Sequence, residues 1–120
     1  MPVFAFICKD GGDKTKIRRD LLLEHLRYIE TVADHIAVAG PCAPRHASDR
    51  RQFEGSIMIY DAPSESAARA IFEGDPYFKN GIWNSYDIMA MNPVVGRYIG
   101  GQTWDLAGDS ITFTPPHNKK

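Results

Sequence analysis

Apolar positions along the chain fall in short blocks whose spacing changes from block to block. Val3 to Cys8 (Val-Phe-Ala-Phe-Ile-Cys) is rich in strand formers, too short for a stable helix, and stops at the Asp-Gly-Gly-Asp turn of residues 10–13. Alternate residues of a strand face opposite sides, and here both sides are apolar: Phe4, Phe6 and Cys8 on one, Val3, Ala5 and Ile7 on the other. From about Lys16 to Asp34 the period becomes helical, with Leu22, Leu26, Ile29 and Ala33 as the stripe and Leu21, Val32 and Ile36 flanking it. Arg19, Asp20, Glu24, Arg27, Glu30 and Asp34 take the opposite face. Ile36 to Pro41 reads as a strand that ends at a Gly-Pro break, a polar loop runs from Cys42 to Phe53, and Gly55 to Tyr60 is a third strand, again apolar on both faces.

The second half repeats the alternation. Ser64 is placed to cap a helix carrying Ala67, Ala68, Ala70, Ile71 and Phe72, and Gly74 suits the left-handed position at its end. Asp75-Pro76 opens a short helical turn that ends near Asn80-Gly81, and Tyr86 to Met91 is a fourth strand. The order β-α-β-β-α-β predicts an α+β, ferredoxin-like domain over residues 1–95, with two helices on one face of an antiparallel sheet. Residues 96–120, with four glycines, Pro115-Pro116 and the isolated aromatics Tyr98, Trp104 and Phe113, read as an extension that packs in pieces on the domain or on a partner subunit. Two helices hide one sheet face only, so the apolar second face calls for another cover. A second copy of the chain is the simplest, and a homodimer or higher homo-oligomer is expected.

Composition narrows the functional classes. At 120 residues the chain can bury one core without disulfides or structural metal. Fourteen basic against fifteen acidic residues, net −1, offer no field for a nucleic-acid backbone, and no aromatic interleaving supports single-strand binding. Cys8 and Cys42 are too few for a disulfide scaffold and lack CxxC spacing, and the Val3–Cys8 block is too short for a membrane span or signal core. A cytoplasmic protein without nucleic-acid or membrane partners is the expectation.

Chemistry therefore has to reside in a local site. His25 lies at the centre of the first helix's apolar stripe, with Arg18 two turns upstream on the same face. A histidine there is either satisfied by a backbone carbonyl as part of the core or poised as a general base with a carboxylate to orient it. Asp75 is a candidate carboxylate. Its simplest role is the helix cap, and the two roles are compatible, since a carboxylate held by backbone N–H groups has an oxygen left for an imidazole.

Arg18 to Leu26 with its Glu-His-Leu, Ala39-Gly40-Pro41, Gly55-Ser56, the alanine-rich second helix, and Asp75-Pro76-Tyr77 followed by Gly81 together resemble the YciI-like (YCII-related) family of small bacterial proteins over residues 3 to about 95. The resemblance implies a dimeric α/β barrel and a His–Asp dyad, here His25 and Asp75, in a family with a dehydrochlorinase branch. Ser56 matches the serine that opens the third strand. Leu22 stands where the family often has an arginine three residues before the histidine, and Arg18 matches a basic position one turn earlier. The expected activity is a lyase or isomerase step on a cyclic or aromatic metabolite: Asp75 fixes the tautomer of His25, whose other nitrogen removes a proton. Substrate contacts are expected from Ser56, Tyr77, Arg18, Gly40, Pro41 and Gly81, with Ser56, Tyr77 and the amides near Gly40 and Gly81 available to a developing oxyanion. No cofactor is implied.

Other readings remain open. The dimer could be a non-catalytic binding or accessory protein, or, by fold analogy, a cofactor-free monooxygenase. Met1-Pro2 could expose the N-terminal proline of a tautomerase. His25, His35, His46 and His117 have no metal-ligand spacing, so no metal site is expected. The loop with Arg45, His46, Arg50 and Arg51 could gather an anion, but reads more simply as a solvated loop partly neutralised by Asp49.

Overall fold

The computed structural model describes residues 2–49 and 51–114. The chain divides into a larger unit, Val3–Met91, and a smaller one made of the residues that follow it together with the N-terminal pair. In the larger unit β1 (Val3–Asp10) leads to α1 (Thr15–Asp20) and α2 (Leu22–Val32), and a 3-10 turn (Ala33–His35) leads to β2 (Ile36–Cys42). Then come β3 (Gly55–Tyr60), α3 (Glu65–Glu73), α4 (Pro76–Lys79) and β4 (Trp83–Met91). The four strands form one antiparallel sheet in the order β2-β3-β1-β4, with Phe6 opposite Met58 and Ile88 and Ile7 opposite Ile57 and Asp87. This is the α+β arrangement expected from the alternation of apolar blocks. Three strands run longer than their apolar blocks suggested: β1 continues to Asp10 and β2 to Cys42, and β4 starts at Trp83, three residues before the expected Tyr86, because Asp10 and Lys9 of β1 pair with Trp83 and Ser85.

The two faces of the sheet differ. Phe4, Phe6, Cys8, Met58 and Tyr60 point to the helices and form the core with Ala68, Phe72, Tyr77, Ile82 and Trp83. Aromatic contacts knit this layer: Phe6 meets Tyr60 edge-on at 5.1 Å between centroids, and Phe72 stacks on Trp83 at 5.3 Å. The other face carries Ala5, Ile7, Val38, Ile57, Ile59, Met89 and Met91 in register with one another. Val38, Ile57, Met89 and Met91 are all exposed there.

The helical stretch departs from the continuous helix expected over residues 16–34. Its path bends at Leu21 (φ −99°, ψ 1°), where the Tyr77 hydroxyl donates to the Arg18 carbonyl. A side chain inserted into a helix's hydrogen-bond ladder is a recognised cause of such a bend. The expected apolar stripe is also turned: Leu22, Leu23 and Leu26 are exposed, while Leu21, His25, Tyr28, Ile29 and Val32 are half-buried.

Ser64 caps α3 by accepting from the Ala67 amide at 3.1 Å. Gly74 is right-handed (φ −78°, ψ −13°), not left-handed as expected. Its glycine answers a close approach instead: a Cβ there would run into the Tyr28 hydroxyl, which donates to the Ile71 carbonyl at 2.6 Å. Gly55 is likewise held to a bare Cα, since a side chain would meet the Cys8 carbonyl of β1.

The smaller unit contains two hairpins, β5 (Val95–Gly96) with β6 (Gly101–Gln102) and β7 (Trp104–Ala107) with β8 (Ser110–Phe113). In the second, Trp104 faces Phe113 and Leu106 faces Ile111, so one side of the hairpin is apolar. Pro115, Pro116 and His117 lie outside the described residues.

Candidate active site

Asp75 begins as a local feature. It precedes Pro76, stands in an extended conformation (φ −71°, ψ 130°), and its Oδ1 accepts from the Tyr77 amide at 2.9 Å, which caps α4. The same Oδ1 lies 2.8 Å from Nδ1 of His25, fifty residues away on α2. A carboxylate only accepts, so the shared proton is carried by Nδ1, and Nε2 of the neutral ring is left with its lone pair. Asp75 is almost fully buried, whereas the His25 side chain keeps 19% exposure. The buried partner is thus fixed and the ring remains in reach of solvent.

Tyr77 holds the ring from one side. Its phenol stacks on the His25 imidazole with centroids 3.8 Å apart and planes 5° from parallel. Its hydroxyl donates to the Arg18 carbonyl at 2.8 Å. The Arg18 guanidinium in turn lies 5.5 Å from the Tyr77 centroid and the same distance from that of Phe53.

Arg18 is buried and paired. Nε and Nη2 each donate to one carboxylate oxygen of Asp10 at 2.8 Å, and Nη2 also reaches the Gly55 carbonyl and Ser56 Oγ, both at 3.1 Å. This fork-to-fork geometry is the strong form of the Arg–carboxylate pair. It joins the end of β1, the first helix and the start of β3 at one point.

The site's surroundings suppress other ionisations. Burial pushes the Cys8 thiol up to about 12, with the Asp10 carboxylate adding to it, so Cys8 is a neutral core group and no nucleophile at ordinary pH. Burial also raises the Tyr28, Tyr60 and Tyr77 phenols, and the Asp75 charge pushes each the same way.

His25, Asp75, Tyr77, Arg18 and Ser56 therefore form one connected cluster. Gly40 and Pro41 lie on the edge strand β2, where Pro41 pairs with Ser56 across the ladder, and both are exposed. Gly81 (φ +72°) makes the turn into β4 and its amide donates to the Phe78 carbonyl, so that donor is engaged within the turn. The Tyr77 hydroxyl is engaged in the same way by Arg18. Asp10 and Phe53 were not singled out by sequence: Asp10 reads as the first residue of a turn and Phe53 as loop, and no local spacing ties either to Arg18. In the 42–53 loop Arg51 pairs with Asp49 and is solvated, Arg45 and His46 are exposed, and Arg50 lies outside the described residues. Pro2 is exposed, the reverse of the desolvation that a proline base requires. No helix among the described residues is long and apolar enough to cross a membrane.

Comparison with known proteins gives the cluster a context. No curated protein matches the chain. Among solved structures, 5-chloro-2-hydroxyhydroquinone dehydrochlorinase from Burkholderia phenoliruptrix, in complex with 2,5-dihydroxybenzoquinone, is similar at 26% identity and a TM-score of 0.66, covering 79% of this chain and 96% of that one. The similarity extends to the dimeric α/β barrel class of that protein. The model of the YCII-related domain matches residues 3–92, three-quarters of the sequence and all of the cluster, and the chain belongs to the YCII-related family.

Proposed function

We propose that the protein is a small-molecule lyase of the dehydrochlorinase type, with His25 as general base and Asp75 as its orienting carboxylate, acting on a hydroxylated ring. The observation that carries this reading is the 2.8 Å contact between His25 Nδ1 and an Asp75 oxygen already fixed by the α4 cap. A base oriented in this way offers Nε2 to an O–H or C–H proton of the ring. The released electron pair forms a C=O bond while the chlorine-bearing ring carbon takes up a proton as the keto tautomer; loss of a second O–H proton then forms a second C=O and a ring C=C bond as the carbon–chlorine bond breaks and chloride departs with its pair. Hydrogen chloride is lost overall and no oxidant is consumed. The similarity to a dehydrochlorinase supports this class of substrate.

We further infer that the working unit is a homodimer in which a second copy covers the sheet face of Ala5, Ile7, Val38, Ile57, Ile59, Met89 and Met91. Solvent contact for a block of this kind is unfavourable by roughly 25 cal/mol for each Å². A cytoplasmic location agrees with two free cysteines, one buried and one half-buried.

The deciding experiment measures chloride release from a series of chlorinated di- and trihydroxybenzenes. The wild-type chain is expected to turn one of them over, and His25→Gln, which keeps a donor for Asp75 but has no basic nitrogen, is expected to lower kcat about 10²–10⁴-fold. Full turnover by His25→Gln would sink the mechanism. Tight binding of 2,5-dihydroxybenzoquinone without any turnover would favour the non-catalytic binding role.

A further inference from the structure

His25 and Tyr28 stand one turn apart on α2, and both side chains leave the helix on its half-buried face. Each meets the same short stretch of chain. His25 Nδ1 lies 2.8 Å from Asp75, and the Tyr28 hydroxyl donates to the Ile71 carbonyl at 2.6 Å, near the end of α3. That end carries Asp75 directly: the Gly74 amide donates to the Ala70 and Ile71 carbonyls and the Asp75 amide to the Phe72 carbonyl, each at 3.2 Å. The aspartate therefore hangs from the turn that Tyr28 grips.

The grip leaves no slack. A Cβ on Gly74 would run into the Tyr28 hydroxyl and lie 2.9 Å from the ring carbon that bears it, closer than real Cβ atoms come. Gly74 has an ordinary right-handed backbone (φ −78°, ψ −13°), so alanine could adopt its conformation and only the phenol stands in the way. Burial and the nearby Asp75 carboxylate both raise the Tyr28 phenol, so its hydroxyl keeps the proton it donates. An orienting contact such as His25–Asp75 has to be held to within about 0.5 Å, and the groups behind it do the holding.

We propose that Tyr28 and Gly74 are positioning residues for the dyad, setting the spacing between α2 and the Asp75 turn so that Nδ1, and not Nε2, carries the His25 proton. The assignment rests on the dyad reading and adds the groups that set its geometry. Both act through Asp75: the tyrosine by holding the turn, the glycine by letting the phenol approach it.

The experiment records 15N spectra of the His25 ring in the full chain, at a pH where the ring is uncharged, and reads which nitrogen carries the proton. Wild type is expected in the Nδ1–H form. Tyr28→Phe, which loses only the tie to Ile71, is expected to shift the ratio of the two forms about threefold toward Nε2–H, and Gly74→Ala, which drives the phenol off its seat, about tenfold. With Tyr28→Leu already present the alanine has no ring to strike, so Gly74→Ala should then add nothing. On a chlorinated ring that wild type turns over, Tyr28→Phe should lower kcat about tenfold and leave KM within about twofold. Circular dichroism checks each fold, and Tyr28→Phe, which removes one oxygen, carries the test if Gly74→Ala does not fold. An unchanged tautomer ratio in the folded variants overturns the assignment and leaves the dyad standing. A full further shift from Gly74→Ala in the Tyr28→Leu background overturns the glycine's part. A wild-type ring in the Nε2–H form overturns the dyad and the positioning role together.

Discussion

Two acid–base pairs contact the Tyr77 ring, and they are built to opposite ends. Asp10–Arg18 is a bidentate pair whose cation is always charged and whose Nε and Nη2 donors are committed to protein acceptors. Asp75–His25 uses a single hydrogen bond, and the ring nitrogen opposite that bond carries an exchangeable site. Both carboxylates are buried; the difference lies in the base each one meets. An arginine that never gives up its proton can only hold elements together, whereas a histidine with one nitrogen anchored can take a proton and give it back. The same local device, a buried aspartate facing the first helical stretch, thus yields a scaffold at one point and a candidate base two turns later.

Arg18→Ala should break the comparison most severely. It leaves Asp10 charged and buried without a partner, and a loss of about 3–5 kcal/mol of stability is expected in urea denaturation. A small loss would mean that the pair is not the fastening point described. His25→Gln should show the reverse profile, with turnover down about 10²–10⁴-fold and stability within about 1 kcal/mol of wild type. If its stability fell as far as that of Arg18→Ala, the two pairs would share one structural role.

Alkaline pH probes the ground between the pairs, because both Asp10 and Asp75 help to hold the Cys8 proton. The unfolded thiol ionises near its ordinary 9.0 and the folded one only near about 12, so between these values the unfolded chain binds fewer protons and stability falls as pH rises. The urea midpoint should therefore drop between pH 8 and pH 11, and less steeply in Cys8→Ala. An equal slope in both proteins would show that Cys8 is not the group responsible. Below pH 9 a thiol-alkylating reagent should modify the half-buried Cys42 well before Cys8.

The smallest effect separates two caps. Ser64→Ala should cost about 1 kcal/mol and leave turnover untouched, because Ser64 does nothing beyond accepting the Ala67 amide. Asp75→Asn retains an acceptor for the Tyr77 amide but loses the charge facing His25, so kcat should fall with a change in stability no larger than that of Ser64→Ala. A loss of turnover in Ser64→Ala would make capping itself, and not the dyad, the sensitive quantity.

Much of the architecture was legible because it depends on short-range patterning. The two-faced blocks 3–8 and 55–60 marked the central strands, and Ser64 and Asp75-Pro76 marked helix starts, since caps and alternation are local consequences of backbone geometry. The helix rotation was not legible: Leu22 and Leu26 have helical spacing, but periodicity cannot say which of two overlapping stripes is buried. Nor was the bend at Leu21, because its cause, the Tyr77 hydroxyl, comes from a residue 59 positions from Arg18. Gly74 was marked correctly as a position needing glycine and for the wrong reason, since the obstacle is Tyr28 from another helix.

For the site itself, sequence alone determined that a titratable ring sits on a helix among apolar neighbours and that an aspartate is pinned ahead of a proline, both of them local statements. That these two meet at 2.8 Å, that Asp10 rather than any neighbour in sequence neutralises Arg18, and that Arg18 Nη2 reaches Ser56 Oγ on β3 at 3.1 Å were decided by tertiary structure. The physical reason is range. Caps and periodicities act over three or four residues, whereas a hydrogen bond between side chains fifty residues apart exists only after the sheet and helices have fixed where each backbone runs.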